Sequence, residues 1–580
     1  MAHFHIKKKK GRNYLYVREI ARVAGKPTVV SQVYIGSPER VASLVGGEVG
    51  RDARRVVKLK VEEFGALWLA QQIDQDVDLV GIVDGVVPRG AREEGHSVGE
   101  YFLYCVWNRM CEATSKNQLA AWYEHSAVQQ IRPVAIGELT CQRYWEKWER
   151  VSEEALAEIA RRFFKRVWEV ESPSADCLLF DTTNYYTFMA SDTPSELARR
   201  GRSKDGRHQL RQIGLGLLVA RESRLPLYYC VYPGNLHDSH QFGVIMDEMF
   251  GVVCGLNRSD QAITVVIDKG MNAVGNFAWI DKHRRMHFVT SYAPYFAQEL
   301  AGKALEEFES VDTAKNLRLL EQGKADERLL AYRTTGEYWG KERTVVVTYN
   351  PVTARKQAYT MESKLETLQE ELLAMRAKVE EKAPYWRNPD SIRQRYLRLC
   401  EHLHIPSDLY SLKFSRATPS RALSMSFKRE DARVEHKYAL FGKNIIITDN
   451  MDWTTAEIVQ ASLDRWQVED RFRLSKDDHL VAMRPLRHWT DSKIRCHLFA
   501  CVVAMTYLRS IELKLNAAGI RRSAEDVIED MQHFHSVLLL KSGAQKPTRQ
   551  LEIPTKSQAE VLSAFKHYVD DCGVLHTISH

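Results

Sequence analysis

The chain has 580 residues, too many for one compact core, and roughly two to four domains are expected. Hydrophobic residues make up 44% and charged residues 27%, an ordinary soluble globular balance, and a formal charge of +7 only weakly favours a polyanionic partner. Ten scattered cysteines with no Cys-x-x-Cys pair speak against a zinc site or a disulfide framework and fit a reducing cytoplasm. The start, "MAHFHIKKKKGR", has no signal-peptide core, and no apolar run reaches the length of a membrane span.

Residues 1–60 read as β. Short alternating runs flank Ala24-Gly25-Lys26-Pro27, a hairpin pattern, and the basic run Lys7 to Lys10 reads as a solvated arm. From 61 to 170 apolar residues recur every three or four positions, with Thr140 placed to cap one helix; this helical module, rich in Arg, Lys and Trp, reads either as a packing domain or as a DNA-end-binding domain. The texture turns α/β over 171–291. A buried strand, Cys177 to Phe180, runs up to Asp181. Two strands follow, joined near Arg221 to Arg224, then a helix over 238–253, a second buried strand ending at Asp268, and a further helix and strand. Residues 292–437 interrupt that rhythm as an insertion with one strand, "RTVVVTYN", and a heptad stretch at Leu365, Leu368, Leu372, Met375 and Val379. That stretch is coiled-coil-like but short, which favours an intramolecular helical hairpin over a dimer zipper. Residues 438–515 return to the core with the strand "GKNIIITDN", one continuous helix over 453–476 and an apolar helix beyond it; 516–580 form a weakly patterned C-terminal region.

Asp181 and Asp268 each close an apolar run. An acid at the tip of a buried strand is rigidly held and faces a cleft; one such Asp alone reads as a cap, two raise the interest. On an ideal helix Arg465, Glu469 and Lys476 fall at about 0°, 40° and 20°, a single stripe, while Asp470 points away near 140°. A surface ion-pair ladder explains the stripe alone. Together with the two Asp residues, Glu469 completes an all-oxygen set suited to Mg²⁺ or Mn²⁺, and two such ions about 3.5–4 Å apart can bind the attacking and leaving oxygens of a phosphodiester.

The order strand–Asp, hairpin, strand–Asp, insertion, helix–Glu resembles the RNase H-like DDE transposases, and among them the bacterial insertion-sequence-four superfamily, in a subgroup with N-terminal β-hairpins. Its Tyr-x2-Arg-x3-Glu-x6-Lys signature is similar to Arg465, Glu469 and Lys476, with Ser462 at the Tyr position. "FDTTNYYTF", "GRSKDGRHQLRQIGLGLLV", "PGNLHDS", "VVIDKGM" and "MRPLRHWTDSKIRCHLFACVVAM" resemble further segments of that group, in order. The resemblance implies an α/β RNase H-like catalytic core with a large insertion before the Glu helix. It also implies a cytoplasmic, nucleoid-associated bacterial enzyme that binds the inverted-repeat ends of its element. Such an enzyme pairs the ends as a homodimer, cleaves double-stranded DNA and joins the 3′-ends to target DNA, with Asp181, Asp268 and Glu469 as catalytic metal ligands.

Supporting residues are basic. Arg199 to Arg211 hold six Arg or Lys and one Asp, with Lys204 and Arg207 the sharpest candidates for DNA contact, joined by Arg465, Lys476 and Arg484. Arg487 and His488 follow Arg484; Asn235 and His237 read as a structural turn, and His497 as a core histidine. No Gly-x4-Gly-Lys-Ser/Thr loop is present, so no ATP dependence is expected. Two alternatives stay open: a nuclease on the same fold that cuts without joining, and a catalytically inactive DNA-binding descendant.

Overall fold

The computed structural model describes residues 2–9, 12–23, 26–37, 56–190, 192–236, 246–248, 251, 262–415, 423–541 and 545–578. His237 and most of the helix expected over 238–253 lie outside them. The architecture is mixed α/β, and contacts divide it into two compact units. The first takes in 1–175, 181–259 and 467–580, the second 176–180 and 260–466. Among the described residues no helix is long and apolar enough to cross a membrane.

The first unit opens with an antiparallel meander, Ala2–Lys9, Arg12–Val23 and Lys26–Gly36, in which Val23 faces Lys26 across the expected hairpin. The next strand, Val56–Glu63, pairs with His535–Lys541, and that strand with Thr548–Leu551. This long-range pairing gives the C-terminal region an order its weak pattern does not announce.

Helices Gly65–Val77, Val98–Cys111, Cys141–Glu149 and Glu153–Glu171 surround Asp491–Ala517, which is buried along most of its length. The Thr140 hydroxyl accepts from the Arg143 N–H, as a helix N-cap does. Large rings fill this core: Phe102 stacks on Trp148 with centroids 5.3 Å apart and meets Phe499 edge-on. Arg211–Ala220 and Pro226–Pro233 form the expected antiparallel pair, with Arg199–Arg200 on the edge of the former. The basic loop between those edge residues and Arg211 returns close to the strand pair. A Cβ on Gly201 would sit 2.0 Å from the Gly234 carbonyl oxygen, so only glycine permits that approach.

In the second unit the strands run in the order Glu309–Ser310, Leu330–Tyr338, Lys341–Tyr349, Lys443–Thr448, Met286–Tyr292, Ile263–Ile267 and then residues 177–179. The last three are parallel and the others antiparallel. All five residues of Ile263–Ile267 are buried, which explains its unbroken apolar run. Three strands cover 309–349, where the sequence suggests one; the two it misses are short or half-exposed and lack a clean alternation. Between Lys341–Tyr349 and Lys443–Thr448 stand helices Pro351–Glu380 and Pro389–Leu403 and the hairpin Tyr410–Ser415/Ser424–Arg429. The heptad residues Leu365, Leu368, Leu372, Met375 and Val379 are buried there against Ile392, Tyr396, Cys400 and Met425 of the same chain.

Candidate active site

The Cys177–Thr187 strand carries Asp181 but does not end there, which corrects its expected place at a strand tip. Residues 177–179 pair with the Ile263–Ile267 strand in the second unit, and from Asp181 onward the chain belongs to the first. The Asp181 carboxylate is half-buried and accepts from the Thr182 N–H at 2.8 Å. Three residues after Asp181, Asn184 clamps the basic loop: its amide donates to the Arg202 carbonyl at 2.6 Å and its oxygen accepts from the Lys204 N–H at 3.0 Å. The Lys204 ammonium donates to the Thr182 carbonyl, beside Asp181. The Arg207 guanidinium lies 4.5 Å from the centroid of the Tyr186 ring.

The Glu helix differs from the expected single element. Thr455–Asp464 and Trp466–Ser475 are separate helices with Arg465 between them, and Lys476 lies past the second. The Arg465 N–H turns to the Leu463 carbonyl instead of continuing the i→i−4 ladder. The single continuous helix expected over 453–476 is therefore two helices, and Arg465 at the junction keeps helical dihedrals of φ −53° and ψ −27°. Within Trp466–Ser475, Val468, Phe472 and Leu474 are buried and Glu469 is exposed, so the acid stands on the solvent face. Asp470 pairs with Arg471 at 2.8 Å and Arg473 at 2.9 Å, and those neighbours hold its carboxyl below the usual range despite partial burial.

Lys476 and Arg484 converge on one carboxylate: Lys476 Nζ lies 3.1 Å from Asp205 Oδ1 and Arg484 Nη1 3.1 Å from Asp205 Oδ2. Arg484 Nε also donates to the Lys476 carbonyl at 3.3 Å. Below them the Tyr185 hydroxyl is 2.6 Å from Ser475 Oγ, and burial pushes that phenol well above its ordinary pKa. Asp205 thus fastens the basic loop to the segment after the Glu helix. Sequence reasoning passed over it as the lone acid in a basic run, although an acid isolated among six cations is itself a signal of a paired hub.

Asp268, in the second unit, directly follows its strand as expected. It caps the turn Lys269–Met271, accepting from the Gly270 N–H at 3.5 Å. Its carboxylate also meets Arg465 Nη1 at 3.1 Å, with both side chains about one-third exposed or less. Asn272 steadies this turn by donating to the Ser291 carbonyl at 2.9 Å and accepting from Thr290 Oγ1 at 2.7 Å. The structure therefore joins Asp268 with Arg465, and Lys476 with Arg484, each inside one unit. Asp181 and Glu469 share the first unit, and Asp268 lies in the second. The three carboxylates are hard oxygen donors, the chemistry that Mg²⁺ or Mn²⁺ takes. Among the described residues, however, no three His, Cys, Asp or Glu side chains stand together as a ready metal cage, and Asp268 already holds a cation in Arg465.

The transposase DDE domain profile matches residues 178–507, more than half of the chain and inclusive of all three acids. The chain belongs to the DDE transposase domain family. A solved structure similar to this transposase is that of the piggyBac transposase synaptic complex with hairpin DNA, at 7% identity, 82% coverage of each chain and a TM-score of 0.36. No curated protein matches this transposase.

Proposed function

We propose that this transposase binds the terminal inverted repeats of its own element, pairs the two ends as a homodimer, cleaves the phosphodiester bonds and joins the freed 3′-ends to target DNA. In this reading the core is RNase H-like, of the insertion-sequence-four type, with Asp181, Asp268 and Glu469 as the catalytic carboxylates. Those three residues would hold one or two Mg²⁺ or Mn²⁺ ions, which supply Lewis-acid chemistry at the phosphate when bound.

The observation that carries the reading is the family match itself, whose matched segment holds the two strand-associated acids and the acid on the Glu helix in that order. The chain's own residues supply the rest. Lys204, anchored beside Asp181, offers a positive charge to a phosphate there. Arg207, Lys476 and Arg484 extend that charge along the DNA backbone, and Asp205 sets the direction of the last two. Arg465 orients Asp268 through one carboxylate oxygen. Hydrolysis breaks the P–O3′ bond as water adds to phosphorus; strand transfer then uses the freed 3′-hydroxyl as nucleophile on a target phosphodiester, with its alkoxide leaving group protonated.

The test uses duplexes carrying the element's own ends. Asp181→Ala, Asp268→Ala and Glu469→Ala should each abolish cleavage while leaving end binding intact, and chelation of divalent ions should stop the wild type. Cleavage that survives all three substitutions discards the site; cleavage without transfer to a target plasmid reduces the enzyme to a nuclease.

A further inference from the structure

In the first unit a cavity of about 460 Å³ opens between the end of the Val98–Cys111 helix, the start of Cys141–Glu149 and the segment 482–497. Arg109, Lys116, Arg484, Arg487, His488 and His497 line it, and no Asp or Glu is among its lining residues. Arg109 and Lys116 are each 7% exposed. The Lys116 ammonium donates to Cys105 Sγ at 3.0 Å and lies over the rings of Trp148 and Tyr144, at 5.0 and 5.7 Å from their centroids. A thiol is a weak acceptor, so three ammonium N–H groups share one weak partner and two ring faces.

Arg109 gives its Nη groups to the carbonyls of Thr114, Val481 and Ala482, while its buried Nε has no acceptor. His488 and His497 stack with centroids 4.8 Å apart. Burial, Lys116 and Arg109 hold both well below the ordinary imidazole pKa, and Lys493 adds to this at His488. Burial likewise pushes the Lys116 ammonium down. Asp205 is the acid that Arg484 meets, and among the described residues no acid pairs with Arg487.

Buried cations are ordinarily paired with acids. Here two, Arg109 and Lys116, line one cavity without a carboxylate on its wall, an arrangement that an anion would relieve. The donors also suit tetrahedral oxygens: a guanidinium edge, an ammonium and the ring nitrogen of His488, while His497 already meets Cys501 Sγ at 3.7 Å. We propose that this cavity is a phosphate-binding site, taking either a phosphate group of a DNA strand or a free phosphate ion. It uses none of the three catalytic acids, and only the DNA source rests on the transposase reading.

Cys141 lines the same cavity and is partly accessible, whereas Cys572 is exposed elsewhere. Alkylation of the full-length protein by iodoacetamide, resolved by peptide mass spectrometry, therefore reports occupancy. Inorganic phosphate or a duplex oligonucleotide should slow Cys141 labelling by roughly a factor of ten at about ten times its dissociation constant, with Cys572 unchanged. Protection by phosphate alone identifies a free-anion site; protection only by the duplex identifies a strand phosphate. Lys116→Met and Arg487→Gln should each weaken that protection, and Arg487, being exposed, can be replaced without disturbing the core. The proposal is overturned if neither probe protects Cys141, if chloride at matched ionic strength protects equally, or if both variants are protected like wild type. An Asp181→Ala chain that binds ends and cannot cleave, with Cys141 still unprotected, would leave the transposase reading standing and remove this site alone.

Discussion

Asp205 shows how one side chain sets the behaviour of two others. It is 16% exposed and neutralises Lys476 and Arg484 through both carboxylate oxygens. Asp205→Asn keeps the shape but removes the charge, leaving two part-buried cations without their partner. It should lower stability by about 1–3 kcal/mol, read from urea unfolding. If the freed cations face DNA, the slope of log affinity against log salt should steepen by roughly one to two units; an unchanged slope would place Lys476 and Arg484 away from the duplex. Asp74 offers a separate test in pH. Burial raises its pKa from 3.8 to about 6, opposed in part by hydrogen bonds from Tyr507 and the Leu79 N–H. Because the folded pKa lies above the unfolded one, the fold binds the proton more tightly. This residue's contribution is therefore most favourable below pH 4, is lost as pH rises towards 6, and is level above. The span is roughly 3 kcal/mol. Asp74→Asn should flatten the urea midpoint between pH 4 and 7 by removing that term.

At the scale of elements, the heptad helix distinguishes two origins of the same pattern. A stripe of Leu and Met every three or four residues serves a dimer zipper or an internal hairpin equally well. Its coverage by Ile392, Tyr396 and Cys400 within one chain makes it a hairpin. Leu368→Ala should then cost about 2–5 kcal/mol by opening a cavity, with an unfolding midpoint independent of protein concentration. A midpoint that rises with concentration would mean the stripe is buried between chains. The buried strands, the hairpin near Arg221 and the apolar 491–517 helix were legible because burial on both sides writes an unbroken apolar run. The break at Arg465 was not legible, since no Pro or Gly marks it and the side chain that meets Arg465, Asp268, lies almost two hundred positions away. Nor does an acid after a strand identify a site. Asp449 has the same sequence pattern as Asp268, yet its carboxylate accepts the Phe288 N–H at 2.8 Å and meets His287 at 3.3 Å, raising the pKa of that histidine. Only geometry separates the two.

Across the whole molecule, the placing of long connections decides which parts can be removed. The C-terminal strand His535–Lys541 is paired with Val56–Glu63, and Arg549 meets Glu62 at 2.6 Å, so the end of the chain is part of the first unit's framework. Residues 351–441 are the opposite case. Their buried core, from Met361 to Val434, is drawn entirely from within the segment. Both ends leave neighbouring antiparallel strands at adjacent positions: Tyr349 is the register partner of Lys443, and the Asn350 N–H donates to the Gly442 carbonyl at 2.8 Å. Deleting 351–441 and joining Asn350 to Gly442 would close those strands with a two-residue Asn-Gly loop, the dipeptide that a type I′ hairpin turn favours; Gly442 already has φ of +71°. The shortened chain should express in soluble form and unfold cooperatively, and the excised 351–441 segment should show helical circular dichroism and its own urea transition. If the shortened chain aggregates while the excised segment is unstructured, the insertion is a load on neither side but an integral layer of the second unit, and the self-contained core inferred from its contacts is wrong.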